Sequence, residues 1–285
     1  MLWCRFDKDG WPVYGIVEGD HVFDIEGDPF RGYERTNVKY KLSQIKLLVP
    51  VIPPTFYAIG SNYRNHVIER SKVKGFKEPK FYDRPRVGYR ANSALIPSGA
   101  NIVKPKDSGP RFEYEGELVA VVGKTMRNVS PEEATRGIFG WTIGNDITER
   151  DWQKNDPTNL RGKNADTFKP MGPWIATGIA PHQMTTNVRL NGKTVHSFPT
   201  GNMLFGAGEV IKSDGDIAFT CQPLKFMEKS VSVLGMRTAV NVKNKRILFV
   251  GTCIGGAQYP AMHFAALPIR DRNLLWCSNG NLRQK

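Results

Sequence analysis

Between Arg111 and Gly123 the chain reads RFEYEGELVAVVG, a strand-like run entered from a Gly-Pro turn. Successive side chains on a strand alternate faces, so Glu113, Glu115 and Glu117 point one way and Tyr114, Leu118, Ala120 and Val122 the other. Carboxylates in such a row repel one another unless water, cations or a hard metal ion relieves them. Two readings follow: an edge strand with a solvated acidic face, or a site for Mg²⁺, Mn²⁺ or Ca²⁺. Other stretches carry groups that such a site could use. His66 and Glu69 lie three residues apart on a predicted helix and so share a face. A carboxylate there orients an imidazole that takes a proton from water, or makes a plain surface ion pair. Arg84, Arg86 and Arg90 could grip a carboxylate through two hydrogen bonds, or stand in water. Asp146, directly after Gly144-Asn145, reads on its own as a turn residue, and Lys163 and Asp166 lie in an irregular stretch without a pattern of their own.

The elements that must position these groups are legible in outline. VYGIVEGDHVFDI alternates around Glu18-Gly19-Asp20 and predicts a hairpin in a small N-terminal β region, which ends at the proline-rich 49–54. Phe56 to Ile59 predicts a short strand, with Ser61 or Asn62 capping the helix of His66 and Glu69. Lys77 to Asn101 reads as a long loop. Ser130, Pro131 and Glu133 form a capping-box start to a short helix. A second strand, Trp141 to Asp151, breaks at Gly144-Asn145; residues 152–174 read as irregular, and Asn191-Gly192 turns a further hairpin.

The composition of the 285-residue chain, 40% hydrophobic and 24% charged, is that of an ordinary globular protein. No basic flank leads into an apolar run at the start, so the default address is the cytosol, with a mitochondrial one left open. Four cysteines form no CxxC pair, which argues against a disulfide framework or a zinc site. The net charge of +13 invites a nucleic-acid reading. Yet from Ile211 to Lys285 there are 11 Lys/Arg against 4 Asp/Glu, so more than half of the excess sits in the last quarter. With no basic helix, aromatic-basic repeat or finger spacing, nucleic acid is not an expected partner. The uncharged 247–269 is long enough to span a bilayer, but Gly, Gln, Pro and His interrupt it, and a membrane is not expected either.

Five separated motifs, in order, resemble the fumarylacetoacetate hydrolase family: GSNYRNHVIE, EYEGELVAVVGK, GNDITERDWQ, GKNADTFKPMGPW, and LNGKTV with TGNMLF. The resemblance covers about Thr55 to Phe205 and implies a mixed, β-rich α+β fold: a curved β-sandwich or roll carrying the catalysis, behind a small N-terminal β region. It implies Glu115, Glu117 and Asp146 as ligands of one divalent cation, Mg²⁺ foremost with Mn²⁺ or Ca²⁺ also suited. It further implies His66 with Glu69 as the pair that activates water, Lys163 as a cation near the reacting carbonyl, and Arg90, Arg150 and Gln153 as residues that bind substrate. The implied reaction cleaves a C–C bond in a small 1,3-dicarbonyl or 2-oxo acid such as an acylpyruvate. Decarboxylation or isomerisation of related oxo acids on the same site is the alternative, and a homodimer is the implied assembly.

Three departures stand against that pattern. Arg90 replaces a lysine ahead of Ser93-Ala94-Leu95, and His196 stands where a glutamine often follows the hairpin. The third is the tail: residues 51–210 read as the catalytic domain after the N-terminal 1–50, but 211–285 show no match to the family's closing strands. This basic segment leaves a catalytically impaired variant as a rival expectation.

Overall fold

In a computed structural model, the chain is described throughout residues 1–213 and, beyond them, in the strand backbones 232–237, 248–253, 262–266 and 276–277. The N-terminal region is a meander of Leu2–Lys8, Trp11–Glu18, His21–Asp28 and Gly32–Lys41. The expected hairpin is present: Glu18 pairs with His21 across Gly19-Asp20, and Gly19 takes the positive φ of 58° that such a two-residue turn requires. The region is not a free appendage. Leu2 and Trp3 pair with Ala176 and Ile175, which joins it to one 13-stranded sheet.

The middle of that sheet carries the acidic stretch. Glu113 and Glu115 do not lie on one continuous strand: Phe112–Glu113 and Gly116–Val122 are separate elements, and the chain breaks at Tyr114-Glu115. The break has a physical cause across the sheet. Gly116–Val122 runs antiparallel to Ile138–Asn145, with Glu117 opposite Gly144 and Gly116 opposite Asn145. There the Asn145 side chain accepts a bond from the Glu115 N–H (3.0 Å), and the Asp146 N–H donates to the Glu115 carbonyl (2.8 Å). The ladder is thus replaced by a side-chain link, and Phe112–Glu113 leaves the sheet to pair with Thr148–Glu149.

Three other expectations change. The helix of His66 and Glu69 spans Arg64–Val73 and begins after Tyr63, with no side-chain cap. Asn62 is instead occupied by the backbone of Phe205, donating from Nδ2 to its carbonyl (2.8 Å) and accepting its N–H at Oδ1 (3.0 Å). Lys77 to Asn101 is not all loop, because Arg86–Arg90 forms a strand at the end of the large sheet beside Phe56–Gly60. The expected second strand ends by Glu149 and gives way to the short helix Arg150–Lys154, and the stretch read as irregular holds a further helix, Leu160–Asn164, and the strand Lys169–Met171. The capping box at Ser130 and the hairpin at Asn191-Gly192 are as read, the latter joining Met184–Leu190 to Lys193–Pro199.

Of the tail, Ser232–Arg237 lies between the acidic strand and Phe56–Gly60, antiparallel to the first and parallel to the second. Leu248–Cys253, Met262–Ala266 and Trp276–Cys277 extend a second, five-stranded sheet from Met184–Leu190. The rest of 214–285, and with it most of the expected departure and of the uncharged 247–269, lies outside the described residues. Among the described residues no helix is long and apolar enough to cross a membrane.

Candidate metal centre

Antiparallel pairing brings Asp146 beside Glu115, while Glu117 follows two residues along the same face. The three carboxylates each offer an oxygen, all within 4.8 Å of one another, and all three residues are buried. Unpaired buried carboxylates would be costly, and cations surround this group. Arg90 grips Asp146 through two bonds, Nε to Oδ1 and Nη2 to Oδ2, both 2.8 Å. Lys163, wholly buried, donates to Glu115 Oε2 (2.7 Å), Asp146 Oδ2 (2.6 Å) and Thr148 Oγ1 (2.6 Å). Lys169 lies 2.8 Å from Asp146 Oδ1 and also donates to the carbonyls of Ile147 and Phe168. Arg150 donates from Nε to Glu113 (2.6 Å), from Nη2 to Glu115 (2.5 Å) and from Nη1 to Gln153 (2.8 Å).

The electrostatics follow from this packing. Burial alone would push the Asp146 carboxyl up, but Arg90, Lys163 and Lys169 together hold it well below the usual carboxylate range. Burial draws the Lys169 ammonium down to about 8 against the pull of Asp146. Arg150 and Arg90 are held above their ordinary values by the neighbouring carboxylates, against the opposing effect of burial. The donor set fits a hard divalent ion: three carboxylate oxygens spaced as closely as two ligands on opposite sides of one oxygen-bound cation.

Seven of the nine candidate residues therefore meet in one network: Glu115, Glu117, Asp146, Arg90, Arg150, Gln153 and Lys163. Arg84 and Arg86 are exposed, and Arg86, at the start of the sheet's end strand, donates instead to the Tyr82 hydroxyl (3.2 Å). His66 and Glu69 sit on the helix that follows Phe56–Gly60, His66 half-buried and Glu69 exposed. The charge of Glu69 also reaches His196, whose ring packs on Phe198 at 5.2 Å. Sequence reasoning missed Lys169 and Thr148. A single lysine flanked by Phe168, Pro170 and Met171 was the available signal, since a cation in an apolar run needs a buried partner.

His196 gives a pH-dependent prediction. Burial lowers its imidazole below the ordinary 6.5, and Glu69 offsets only part of that. The unfolded chain then binds more protons between the two values, so stability rises with pH through that window and levels off above it. Melting temperatures between about pH 5 and 7 should climb more steeply for the native chain than for His196→Gln; equal slopes would remove the effect.

A family model for the C-terminal part of fumarylacetoacetate hydrolases matches residues 55–214, and one for a Rv2993c-like N-terminal region matches 1–50. The chain belongs to the fumarylacetoacetate hydrolase family. A family relative, the 2,4-didehydro-3-deoxy-L-rhamnonate hydrolase of a Sphingomonas species, is 30% identical over 227 residues, 74% of this chain and 77% of that one. The oxaloacetate tautomerase YisK of Bacillus subtilis is 33% identical over 180 residues, covering 61% of this chain and 58% of its own. Among solved structures, a maleylpyruvate hydrolase from Sphingobium, described in complex with manganese and pyruvate, superposes with a TM-score of 0.66 at 20% identity. The match covers 92% of this chain and 97% of that one, and shares the family's β-rich fold.

Proposed function

We propose that the chain is a divalent-metal-dependent hydrolase or lyase that cleaves a C–C bond in a small 1,3-dicarbonyl or 2-oxo acid. The observation that carries this reading is the charge balance of the buried centre. Glu113, Glu115, Glu117 and Asp146 are matched by Arg90, Arg150, Lys163 and Lys169. A divalent cation held by Glu115, Glu117 and Asp146 would supply Lewis acidity to substrate oxygens, and would leave an excess charge of two that a dianionic oxo acid cancels. The manganese and pyruvate of the maleylpyruvate hydrolase, and the hydrolase activity in the name of the Sphingomonas relative, support the same class of chemistry.

Breaking the bond leaves negative charge on a carbon next to a carbonyl, so the transition state needs positive charge at the enolate oxygen. Lys163 can contribute there only after release from a present partner, because its three N–H donors are spent on Glu115, Asp146 and Thr148. In hydrolysis, His66 takes a proton from water as its oxygen adds to the carbonyl farther from the carboxylate. The adduct then collapses to a carboxylic acid and an enolate, which is protonated on carbon to give the 2-oxo acid; Glu69 stabilises the imidazolium. A second reading, tautomerisation of the same oxo acids, is favoured by the two imidazoles near Glu69, His66 and His196, and by the tautomerase relative.

The test is loss of acylpyruvate and oxaloacetate-enol absorbance, with product analysis, with and without Mg²⁺ or Mn²⁺. Metal-dependent release of pyruvate and an acid supports hydrolysis, and enol loss without a cleaved product supports the second reading. No turnover of either compound by folded protein would overturn both.

A further inference from the structure

Tyr63 has no place in the reaction as derived above, yet its surroundings point into the same centre. The residue is only 2% exposed, its backbone bridges to Met203, and its ring meets Phe198 edge-on at 5.4 Å and 76°. The Phe198 contact and the Asn62–Phe205 clasp on the preceding residue hold this stretch in place. Its hydroxyl, buried, has no hydrogen-bond partner among the described residues. A buried hydroxyl without a partner weakens a fold, and native structures keep few of them.

The sheet explains on which side of the acidic strand Tyr63 lies. Ile59 and Leu118 flank Met236 from opposite sides, so Phe56–Gly60 runs two strand spacings, about 10 Å, from the acidic strand. The chain leaves the sheet at Gly60, on the side where the acidic strand begins at Gly116-Glu117, and Tyr63 follows three residues on. Consistent with that placement, burial and the nearby Glu117 charge both push the phenol above its ordinary value, so it stays a proton donor.

We propose that the Tyr63 hydroxyl is a substrate-binding group, donating a hydrogen bond to an anionic oxygen of the oxo acid held beside Glu117. This rests on the function proposed above. Unmet among the described residues, the donor is satisfied by a bound carboxylate or enolate oxygen, and it selects for a ligand that brings such an oxygen.

The experiment compares native protein with Tyr63→Phe, which keeps the ring and removes one oxygen atom. The probe is oxalate in the presence of Mn²⁺, a planar dianion shaped like the enolate of pyruvate. The dissociation constant of oxalate should rise about tenfold in the variant. The melting temperature of the ligand-free variant should stay the same or rise, an outcome that a merely structural hydroxyl would not give. Unchanged oxalate affinity, or a fall in the ligand-free melting temperature, would overturn the assignment. Failure of the native protein to bind oxalate with Mn²⁺ would overturn the proposed function itself, and Tyr63's part with it; the two failures are told apart by which protein fails.

Discussion

Glu115→Gln should reduce metal-dependent turnover by about 10³-fold or more, the scale on which charge stabilisation of a transition state is lost. Glu115 is wholly buried and shares its two oxygens between Arg150 and Lys163. An amide keeps the shape but can accept from only one of those cations and turns an N–H₂ toward the other. The variant therefore loses a ligand charge and acquires a buried mismatch, which costs about 1 to 3 kcal/mol of stability. Turnover is measured at saturating Mg²⁺ beside a thermal melt, so that loss of activity in folded protein is separated from unfolding. A folded variant working within a few-fold of the native rate would remove Glu115 from the metal site.

Lys163→Met should produce the largest change in stability. The ammonium lies between Glu115 and Asp146, and removing it leaves two buried carboxylates facing one another and the Thr148 hydroxyl without its donor. Breaking a buried ion pair from one side costs about 3 to 5 kcal/mol. At about 2 to 4 °C for each kcal/mol in a chain of this size class, melting falls by roughly 6 to 20 °C. The same change removes a cation that competes for those carboxylates, so Mg²⁺ should restore stability more strongly in the variant than in the native chain. Free ion at a hundred times its dissociation constant returns about 2.7 kcal/mol. A variant with unaltered melting, or one no more responsive to Mg²⁺ than the native protein, would contradict this view of Lys163.

Local pattern carried a good part of the centre. The i, i+2 spacing of Glu115 and Glu117 marks them as neighbours, although only Glu117 lies on the strand Gly116–Val122 and Glu115 sits in the break just ahead of it. The capping box at Ser130 and the turns at Gly19 and Asn191 are equally local, each fixed by a few neighbouring residues. What spacing does not contain is the break at Tyr114-Glu115, since the groups that cause it, Asn145 and Asp146, lie about thirty positions away. The helix starts after Tyr63 for the same reason: Asn62 bonds to Phe205, so its capping propensity is overridden by a distant partner.

The cations were the least legible part. Arg90 reaches Asp146 across 56 positions and Lys163 reaches Glu115 across 48, distances over which periodicity holds no information. The family resemblance named these residues, but not that they neutralise the carboxylates as thoroughly as they do. Lys169 shows the limit on both counts, because neither spacing nor motif marked it, although it faces Asp146 from a strand two short helices further on.

The most direct measurement is the stoichiometry of Mn²⁺ binding, read by the loss of the free-ion electron paramagnetic resonance signal, in native protein and in Glu117→Gln. One ion per chain in the native protein, with affinity lost in the variant, is the result predicted by a centre of Glu115, Glu117 and Asp146. Absence of tight binding to folded native protein, or binding that Glu117→Gln leaves unchanged, would contradict it.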